Sequence, residues 1–182
     1  MGNLKQTLLK SHQLMTDQNI DHALIGGLAL ATLGINRATS DVDMLIDHKD
    51  RENLIKTLLE NGFTLIFETA EVLHFIGLNI GLGKLDISLA KRPISKQMLL
   101  DAVVFPQHGI KCLGQEDIIG LKIQAYSNDN RREFQDKADI LSLIENGGDS
   151  LNWSKIKMYA DLFNEWPEIE KIRNRAWIQK QR

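Results

Sequence analysis

The sequence has only one cysteine, Cys112, in 182 residues. A single thiol cannot form an internal disulfide, and it cannot provide the cysteine ligands of a structural zinc site. Proteins without disulfides are typical of reducing compartments, so we expect this protein to be cytoplasmic.

Long apolar stretches are also missing. No apolar run approaches the roughly 18 residues that a membrane helix needs. The first residues, MGNLKQTLLKSHQLM, are too polar for a secretory signal peptide. We therefore expect a protein that does not associate with a membrane.

An excess of one charge sign is absent as well, because 22 basic and 24 acidic side chains give a net charge of −2. The whole molecule thus has no general attraction for nucleic acid, and any RNA binding has to use a local basic patch. An apolar content of 43% and a charged content of 25% are ordinary for a globular protein. The length suffices for one core with a helical extension.

Several common catalytic motifs are absent from the sequence. It has no phosphate-binding Gly-x-x-x-x-Gly-Lys-Ser/Thr loop, no His-Glu-x-x-His zinc motif and no Gly-x-Ser-x-Gly nucleophile turn. An EF-hand that starts at Asp41 is excluded because Ile46 stands where that loop requires glycine.

A pair of glycines lies between a predicted strand and a predicted helix. We predict a buried strand over Ala23–Ile25, a turn at Gly26–Gly27 and a helix from Leu28 to about Gly34. Glycines allow a tight turn and let a ligand approach the backbone closely. Free N–H groups and the positive end of the helix dipole face such a turn, so it can bind an anion.

Two aspartates, Asp41 and Asp43, open the next predicted strand. Alternate strand residues point to the same face, so the two carboxylates lie side by side and repel each other. A hard cation such as Mg²⁺, which also takes phosphate oxygens, relieves that repulsion. Either feature alone is more often an ordinary turn or a solvated strand edge. Together, and with Arg37 and Thr39 leading into Asp41, they predict a site for a nucleoside triphosphate and its metal.

The pattern Gly-Gly, thirteen residues, Asp-Val-Asp resembles the signature of the nucleotidyltransferase superfamily with the polymerase-beta-like fold. Residues 25–29 and 37–43 look most like its AbiEii branch, which comprises abortive-infection and toxin–antitoxin nucleotidyltransferases. One position departs from the pattern. Many superfamily members have serine after the first glycine, whereas this chain has Gly27, so the backbone has to contact the phosphate there.

A third carboxylate is predicted on a later strand. We predict strands over Phe63–Phe67, Val72–Leu78 and Lys84–Leu89, and Asp86 lies on the face opposite the apolar residues of the last one. From alternation alone, Asp86 is equally a solvent-facing residue. The resemblance implies a third acid from a strand beside the first two, which favours Asp86. His74 is interpreted as a core or edge residue without a role in the site.

From Glu116 onward the apolar period changes to that of helices, and Lys122 lies within an otherwise apolar helical segment. Such a lysine either extends to solvent or points into a cleft. This region resembles the downstream AbiEii motifs. The resemblance implies that Lys122 contacts the triphosphate, and that Asp136 or Asp139 supports the site by holding Lys122 or an incoming hydroxyl. Without the resemblance, both aspartates are explained by the preference of helix starts for acids.

The resemblance implies an α/β (α+β) fold with a small mixed twisted sheet and a helical C-terminal part. We expect residues 1–113 to form the catalytic core and residues 114–182 to complete the nucleotide cleft. The order of the predicted periodicities, strands first and helices afterwards, agrees with that architecture.

The function that follows is transfer of a nucleoside monophosphate from an NTP to an acceptor hydroxyl. The metal ligands for Mg²⁺ or Mn²⁺ would be Asp41, Asp43 and Asp86, and Asp86 acts either as a base or only as a ligand. The triphosphate would be bound by Gly26, Gly27, Arg37, Thr39 and Lys122.

The AbiEii resemblance suggests RNA, such as a tRNA end, or a protein as the acceptor, and a cognate antitoxin as a partner. Two alternatives stay open at the level of the sequence. One is transfer to a small molecule such as an antibiotic. The other is a non-catalytic module that binds a nucleotide or a partner protein.

Overall fold

The computed structural model describes residues 3–105 and 109–180. The chain forms two compact units, one comprising Met1–Thr32 and Asn36–Leu113 and the other Leu33–Ile35 and Gly114–Arg182. The main division follows Leu113. The functional roles of the two parts stay predictions.

The first unit is built on a mixed seven-stranded sheet with the strand order β3-β4-β5-β2-β1-β7-β6. Strand β2 pairs in parallel with β5, and β1 pairs in parallel with β7, while the other neighbours are antiparallel. The strands are β1 (His22–Ile25), β2 (Asp41–Asp47), β3 (Phe63–Glu68), β4 (Val72–Gly77), β5 (Lys84–Ala90), β6 (Val103–Val104) and β7 (Lys111–Cys112).

Four helices belong to the sheet unit: α1 (Leu4–Asp17), α2 (Gly26–Thr32), α3 (Arg51–Glu60) and α4 (Pro93–Asp101). Alternate residues of the central strands form the core beneath the sheet. In β2, Val42, Met44 and Ile46 are fully buried, and the alternating leucines and isoleucine of β5 lie in the same layer. Burial of each such side chain contributes about 1.5–3 kcal/mol. The polar residues between them are left on the opposite face, which carries the candidate site.

The second unit is helical and comprises α5 (Gln115–Asn128), α6 (Glu133–Gly147), α7 (Trp153–Asp161) and α8 (Trp166–Lys180). Asn152 caps α7, because its side chain accepts a hydrogen bond from the Lys155 N–H at 3.1 Å. Gly120 lets α5 and α7 approach closely, since a Cβ there would lie 2.6 Å from the Tyr159 ring.

The α/β fold with a mixed sheet and a helical C-terminal part is confirmed by this architecture. In the described ranges 3–105 and 109–180, every helix is too short or too polar to cross a bilayer.

Candidate active site

Three acidic side chains converge on the exposed face of the sheet. In the parallel pair β2–β5, Asp43 lies opposite Asp86, and Asp41 is two residues before Asp43 on the same face. Each of the three acids offers a carboxylate oxygen, and these oxygens all lie within 4.8 Å of one another. The structure thus brings together the three acids that the sequence singled out as metal ligands.

The chemistry of these donors fits a hard divalent ion. Two unit charges 4.8 Å apart repel by about 3.5 kcal/mol at an effective dielectric constant of about 20, and the cluster has three such pairs. An all-oxygen donor set suits Mg²⁺ or Mn²⁺ better than zinc or copper, which prefer nitrogen and sulfur. Asp41, Asp43 and Asp86 therefore fit the metal that the family resemblance implies.

The Asp43 carboxylate lies directly against the glycine turn. Ile25, the last residue of β1, pairs with Asp43, and Gly26 follows with a φ of +63°. A Cβ on Gly26 would overlap the Asp43 carboxylate. Both the backbone conformation and the close approach therefore require glycine at this position.

The side chain of Thr39 explains why this chain has Gly27 where the superfamily pattern has serine. A Cβ at position 27 would lie 2.6 Å from Cβ and 2.8 Å from Oγ1 of Thr39, so a serine would collide with that side chain. Thr39 occupies the space instead and donates a hydrogen bond to Asp41 Oδ1 at 2.8 Å. A hydroxyl is thus present beside the turn, although it comes from the loop before β2.

The start of α2 differs from the prediction. The sequence suggested a turn at the two glycines and a helix from Leu28 to about Gly34, whereas the helix runs from Gly26 to Thr32. The positive φ of Gly26 lets the chain leave β1 and enter the helix at once, without separate turn residues. The N–H groups beside Asp43 therefore belong to the first helical turn. Arg37 lies in the loop between α2 and β2 and is partly buried.

Lys122 lies in the helical unit and is held by two acids. Its Nζ donates to Asp136 Oδ1 at 2.8 Å and to Asp139 Oδ2 at 2.5 Å, and its side chain is only 7% exposed. Asp136 also accepts from Arg132 Nε at 3.0 Å, and Asp139 from Gln135 Nε2 at 3.0 Å. The structure excludes the interpretation of Lys122 as a solvent-facing residue. The contact expected between the lysine and the aspartates is present, and a role in triphosphate binding stays a prediction.

His74 contacts the site. The sequence-based interpretation of His74 as a core or edge residue without a role in the site missed this contact. His74 pairs with Asp86 across β4 and β5, and its Nδ1 lies 2.6 Å from Asp86 Oδ1. Strand alternation could have predicted the contact. His74 stands between the buried residues Leu73 and Phe75, so its side chain lies on the opposite face of the sheet from theirs. Phe67 on β3 continues this surface, with its ring centroid 5.2 Å from that of His74.

A family model for the nucleotidyl transferase AbiEii toxin of type IV toxin–antitoxin systems matches residues 13–173. The chain belongs to the AbiEii family. It is therefore a nucleotidyltransferase, and the family predicted from the sequence is confirmed. None of the curated proteins compared with the chain matches it.

Solved structures of other nucleotidyltransferases share the fold of this AbiEii protein. The solution structure of the antibiotic-resistance factor ANT(2″)-Ia is 17% identical, with a TM-score of 0.63 over 94% of this chain and 97% of that one. An antigenic nucleotidyltransferase-like protein from Paracoccidioides brasiliensis is 22% identical, with a TM-score of 0.58 over 94% and 92%. The lincosamide antibiotic adenylyltransferase LnuA is 14% identical, with a TM-score of 0.54 over 65% and 85%. At these identities the likeness establishes the fold.

Proposed function

We propose that this AbiEii protein transfers a nucleoside monophosphate from an NTP to an acceptor hydroxyl with the help of Mg²⁺ or Mn²⁺. The observation that supports this most strongly is the cluster of Asp41, Asp43 and Asp86, whose oxygens lie within 4.8 Å of one another beside the glycine turn. A bound divalent ion there would neutralise triphosphate charge and lower the pKa of the attacking hydroxyl.

The residues around the cluster have distinct roles in this proposal. The N–H groups at Gly26 and Gly27 bind phosphate oxygens, and the Thr39 hydroxyl holds Asp41 in its orientation. The acceptor oxygen bonds to the α-phosphorus while the bond from that phosphorus to the bridging oxygen breaks, and pyrophosphate leaves. Asp86 is a metal ligand that also faces the acceptor hydroxyl, whose proton passes to this carboxylate or to solvent.

Lys122 and Arg37 are the two cations that we propose to bind triphosphate oxygens. An ammonium group has three N–H donors, and Asp136 and Asp139 accept two of those of Lys122. In this proposal the third donates to a phosphate oxygen, and the two aspartates orient the ammonium group. Arg37 contributes a second cation from the loop before β2.

The acceptor that the family suggests is RNA, such as a tRNA end, or a protein, modified in the cytoplasm. The description of the family as a toxin of type IV systems supports modification of a cellular target and a cognate antitoxin that opposes it. Assignment to a family of enzymes argues against the non-catalytic module considered from the sequence.

A small-molecule acceptor is the second candidate. ANT(2″)-Ia, named as an antibiotic-resistance factor, and LnuA, named as a lincosamide antibiotic adenylyltransferase, share the fold. A growth assay distinguishes a macromolecular acceptor from a small-molecule acceptor. Expression of a toxin slows the growth of cells without added drug, whereas expression of a resistance enzyme leaves growth unchanged and raises the tolerated concentration of an antibiotic.

Radiolabel transfer tests the proposed reaction. Purified protein is incubated with each α-³²P-labelled NTP, Mg²⁺ or Mn²⁺, and a cell lysate, and the label is followed into RNA, protein and small molecules. We expect the wild type to label one of these classes and Asp41→Asn to label none. Equal labelling by the two proteins, or the absence of any labelled product, would overturn the proposed function.

A further inference from the structure

Side chains from four neighbouring strands form a row across the face of the sheet that carries the candidate site. Asp43 of β2 lies opposite Asp86 of β5, and Asp86 lies opposite His74 of β4. His74 in turn pairs with Phe67 of β3. Asp86 therefore has an acid on one side and an imidazole on the other.

The hydrogen bond between His74 and Asp86 has a defined direction. His74 Nδ1 lies 2.6 Å from Asp86 Oδ1. An ionised carboxylate only accepts hydrogen bonds, so Nδ1 is the donor. Hydrogen bonds to a charged acceptor are shorter and stronger than those between neutral groups. One oxygen of Asp86 is thus engaged from the side of β4, and Oδ2 can serve another ligand.

Asp86 needs such a hydrogen bond because its own charge opposes its position. Oxygens of Asp41, Asp43 and Asp86 lie within 4.8 Å of one another, so without a cation the three carboxylates repel each other. Rotation to another staggered rotamer would carry the Asp86 carboxylate away from the other two. That rotation also breaks the hydrogen bond from His74, so this bond keeps the cluster assembled.

The imidazole ring of His74 is itself restrained. Its neighbours along β4, Leu73 and Phe75, are fully buried and fix the strand from the core side. On the opposite face, the ring of Phe67 packs against that of His74, with centroids 5.2 Å apart and an interplanar angle of 43°. A ring restrained from both faces of the sheet gives the hydrogen bond to Asp86 a fixed direction.

Asp41 is held in a similar way on the other side of the cluster. Its Oδ1 accepts a hydrogen bond from Thr39 Oγ1 at 2.8 Å. Among the described residues, the group of mutually close metal-ligating atoms contains only the three aspartates, and His74 is not part of it. His74 is therefore placed to orient a metal ligand and not to be one.

We propose that His74 is a positioning residue that holds Asp86 in the geometry that a small divalent ion requires. Mg²⁺ demands near-ideal octahedral geometry, whereas Ca²⁺ accepts flexible coordination. A carboxylate fixed by a hydrogen bond suits the stricter ion, and such partners of metal ligands tune affinity in metal sites generally. His74 thereby sets the preference of the cluster for Mg²⁺ over Ca²⁺. This inference deepens the proposed function and rests on its metal site.

Competition with Mn²⁺ measures this preference without requiring turnover. The full chain, without an affinity tag, is titrated with Mn²⁺ in the absence of NTP, and free Mn²⁺ is quantified by electron paramagnetic resonance. Mg²⁺ and Ca²⁺ are then added as competitors. His74→Ala should raise the Kd for Mn²⁺ and for Mg²⁺ about 10- to 100-fold, the range for loss of a hydrogen-bond partner of a metal ligand. The Kd for Ca²⁺ should rise by a smaller factor.

Two further variants separate the hydrogen bond from general effects on the sheet. His74→Asn keeps an N–H donor near the position of Nδ1 and should restore both the Mg²⁺ affinity and the preference over Ca²⁺. Ile76→Ala is the matched control, because Ile76 lies two residues beyond His74 on the same face of β4 and pairs with Lys84 instead of Asp86. It should leave all three Kd values unchanged. Circular dichroism verifies that each variant is folded.

Pulsed electron paramagnetic resonance distinguishes a positioning residue from a metal ligand. A histidine bound directly to Mn²⁺ produces hyperfine coupling to its ring nitrogen. We expect the spectra of the wild type and of His74→Ala with bound Mn²⁺ to show the same nitrogen coupling. A coupling that is present in the wild type and lost in His74→Ala would make His74 a ligand and overturn its positioning role.

Failure of this inference and failure of the proposed function give different results. If the wild type binds Mn²⁺ and folded His74→Ala has the same Kd values, or shows equal changes for Mg²⁺ and Ca²⁺, the positioning role is overturned and the proposed function stands. A folded His74→Asn protein that behaves like His74→Ala overturns the role of the hydrogen bond in the same way. A wild type that binds neither Mn²⁺ nor Mg²⁺ overturns the proposed metal site itself, and with it both proposals.

Discussion

Two glycines with similar backbone conformations show how single residues shape the site. Gly26 and Gly34 both have positive φ values, +63° and +81°. At Gly26 an added Cβ would overlap the Asp43 carboxylate. At Gly34 no heavy atom of the other described residues, its chain neighbours aside, lies within 4 Å of the Cβ position. The two positions therefore share the conformational requirement and differ only in what surrounds them.

Gly26→Ala should abolish nucleotidyl transfer, because the new methyl group displaces Asp43 from the proposed metal site. Gly34→Ala carries the strain of a left-handed alanine alone, about 1–2 kcal/mol, and should keep Mn²⁺ binding and activity. Calorimetric titration with Mn²⁺ and the labelling assay check both. Normal Mn²⁺ affinity in a folded Gly26→Ala protein would contradict the arrangement of Asp43 described above.

The limits of sequence reasoning are clearest for the acids. Asp41 and Asp43 are two residues apart, so alternation alone predicts that they share a face, and the structure agrees. The neighbour of Asp43 on the next strand depends on the pairing of β2 with β5, which local patterns do not encode. Asp86 was therefore favoured only through a family resemblance, and the contact of His74 with Asp86 was missed.

Buried ion pairs join helix α5 to helix α6. Lys122 in α5 bridges two acids of α6, and both aspartates are almost fully buried. Removing one partner of a buried ion pair leaves uncompensated charge and costs much more than removing a surface pair. The apolar pattern predicted both helices, but it could not predict the ion pairs between them, because the spacing of Lys122 and Asp136 along the chain does not determine how two helices face each other.

Lys122→Met should lower the free energy of unfolding by about 3–5 kcal/mol, since two carboxylates lose their buried cation. Lys157→Met is the control, because Lys157 forms an exposed pair with Asp161 four residues later and lies over the Trp166 ring. Loss of these exposed contacts should cost about 1 kcal/mol or less. Urea denaturation followed by circular dichroism measures both. A loss for Lys122→Met no greater than that for Lys157→Met would show that the buried pairs do not stabilise the helical unit.

The stability of the whole protein should depend on a pair of histidines between α1 and β1. His12 Nδ1 lies 2.7 Å from His22 Nε2, and His22 Nδ1 donates to the Ile20 carbonyl oxygen at 2.7 Å. Burial lowers the pKa of both imidazoles below the ordinary value of 6.5, and for His22 this outweighs the raising effect of the Ile20 hydrogen bond. Nearby Asp21 raises the pKa of His22 and Lys111 lowers it.

These lowered pKa values make the folded protein less stable in mild acid. As the pH falls below about 6.5, the unfolded chain takes up protons on both histidines while the folded chain resists them, so the free energy of unfolding decreases. Above that pH the contribution is fully present. Urea denaturation between pH 5 and 8 should show this decrease in the wild type and a smaller one in His22→Gln. Identical pH profiles for the two proteins would contradict it.

The parallel pairing of β2 with β5 also has a consequence for the order of events during translation. Asp43 leaves the ribosome 43 residues ahead of Asp86, its partner across the sheet. At elongation rates of about 5–20 residues per second, this interval lasts about 2–9 s. A nascent chain that has already exposed the glycine turn still lacks Asp86 throughout this interval, so the cluster of three acids cannot assemble until the fifth strand has been made.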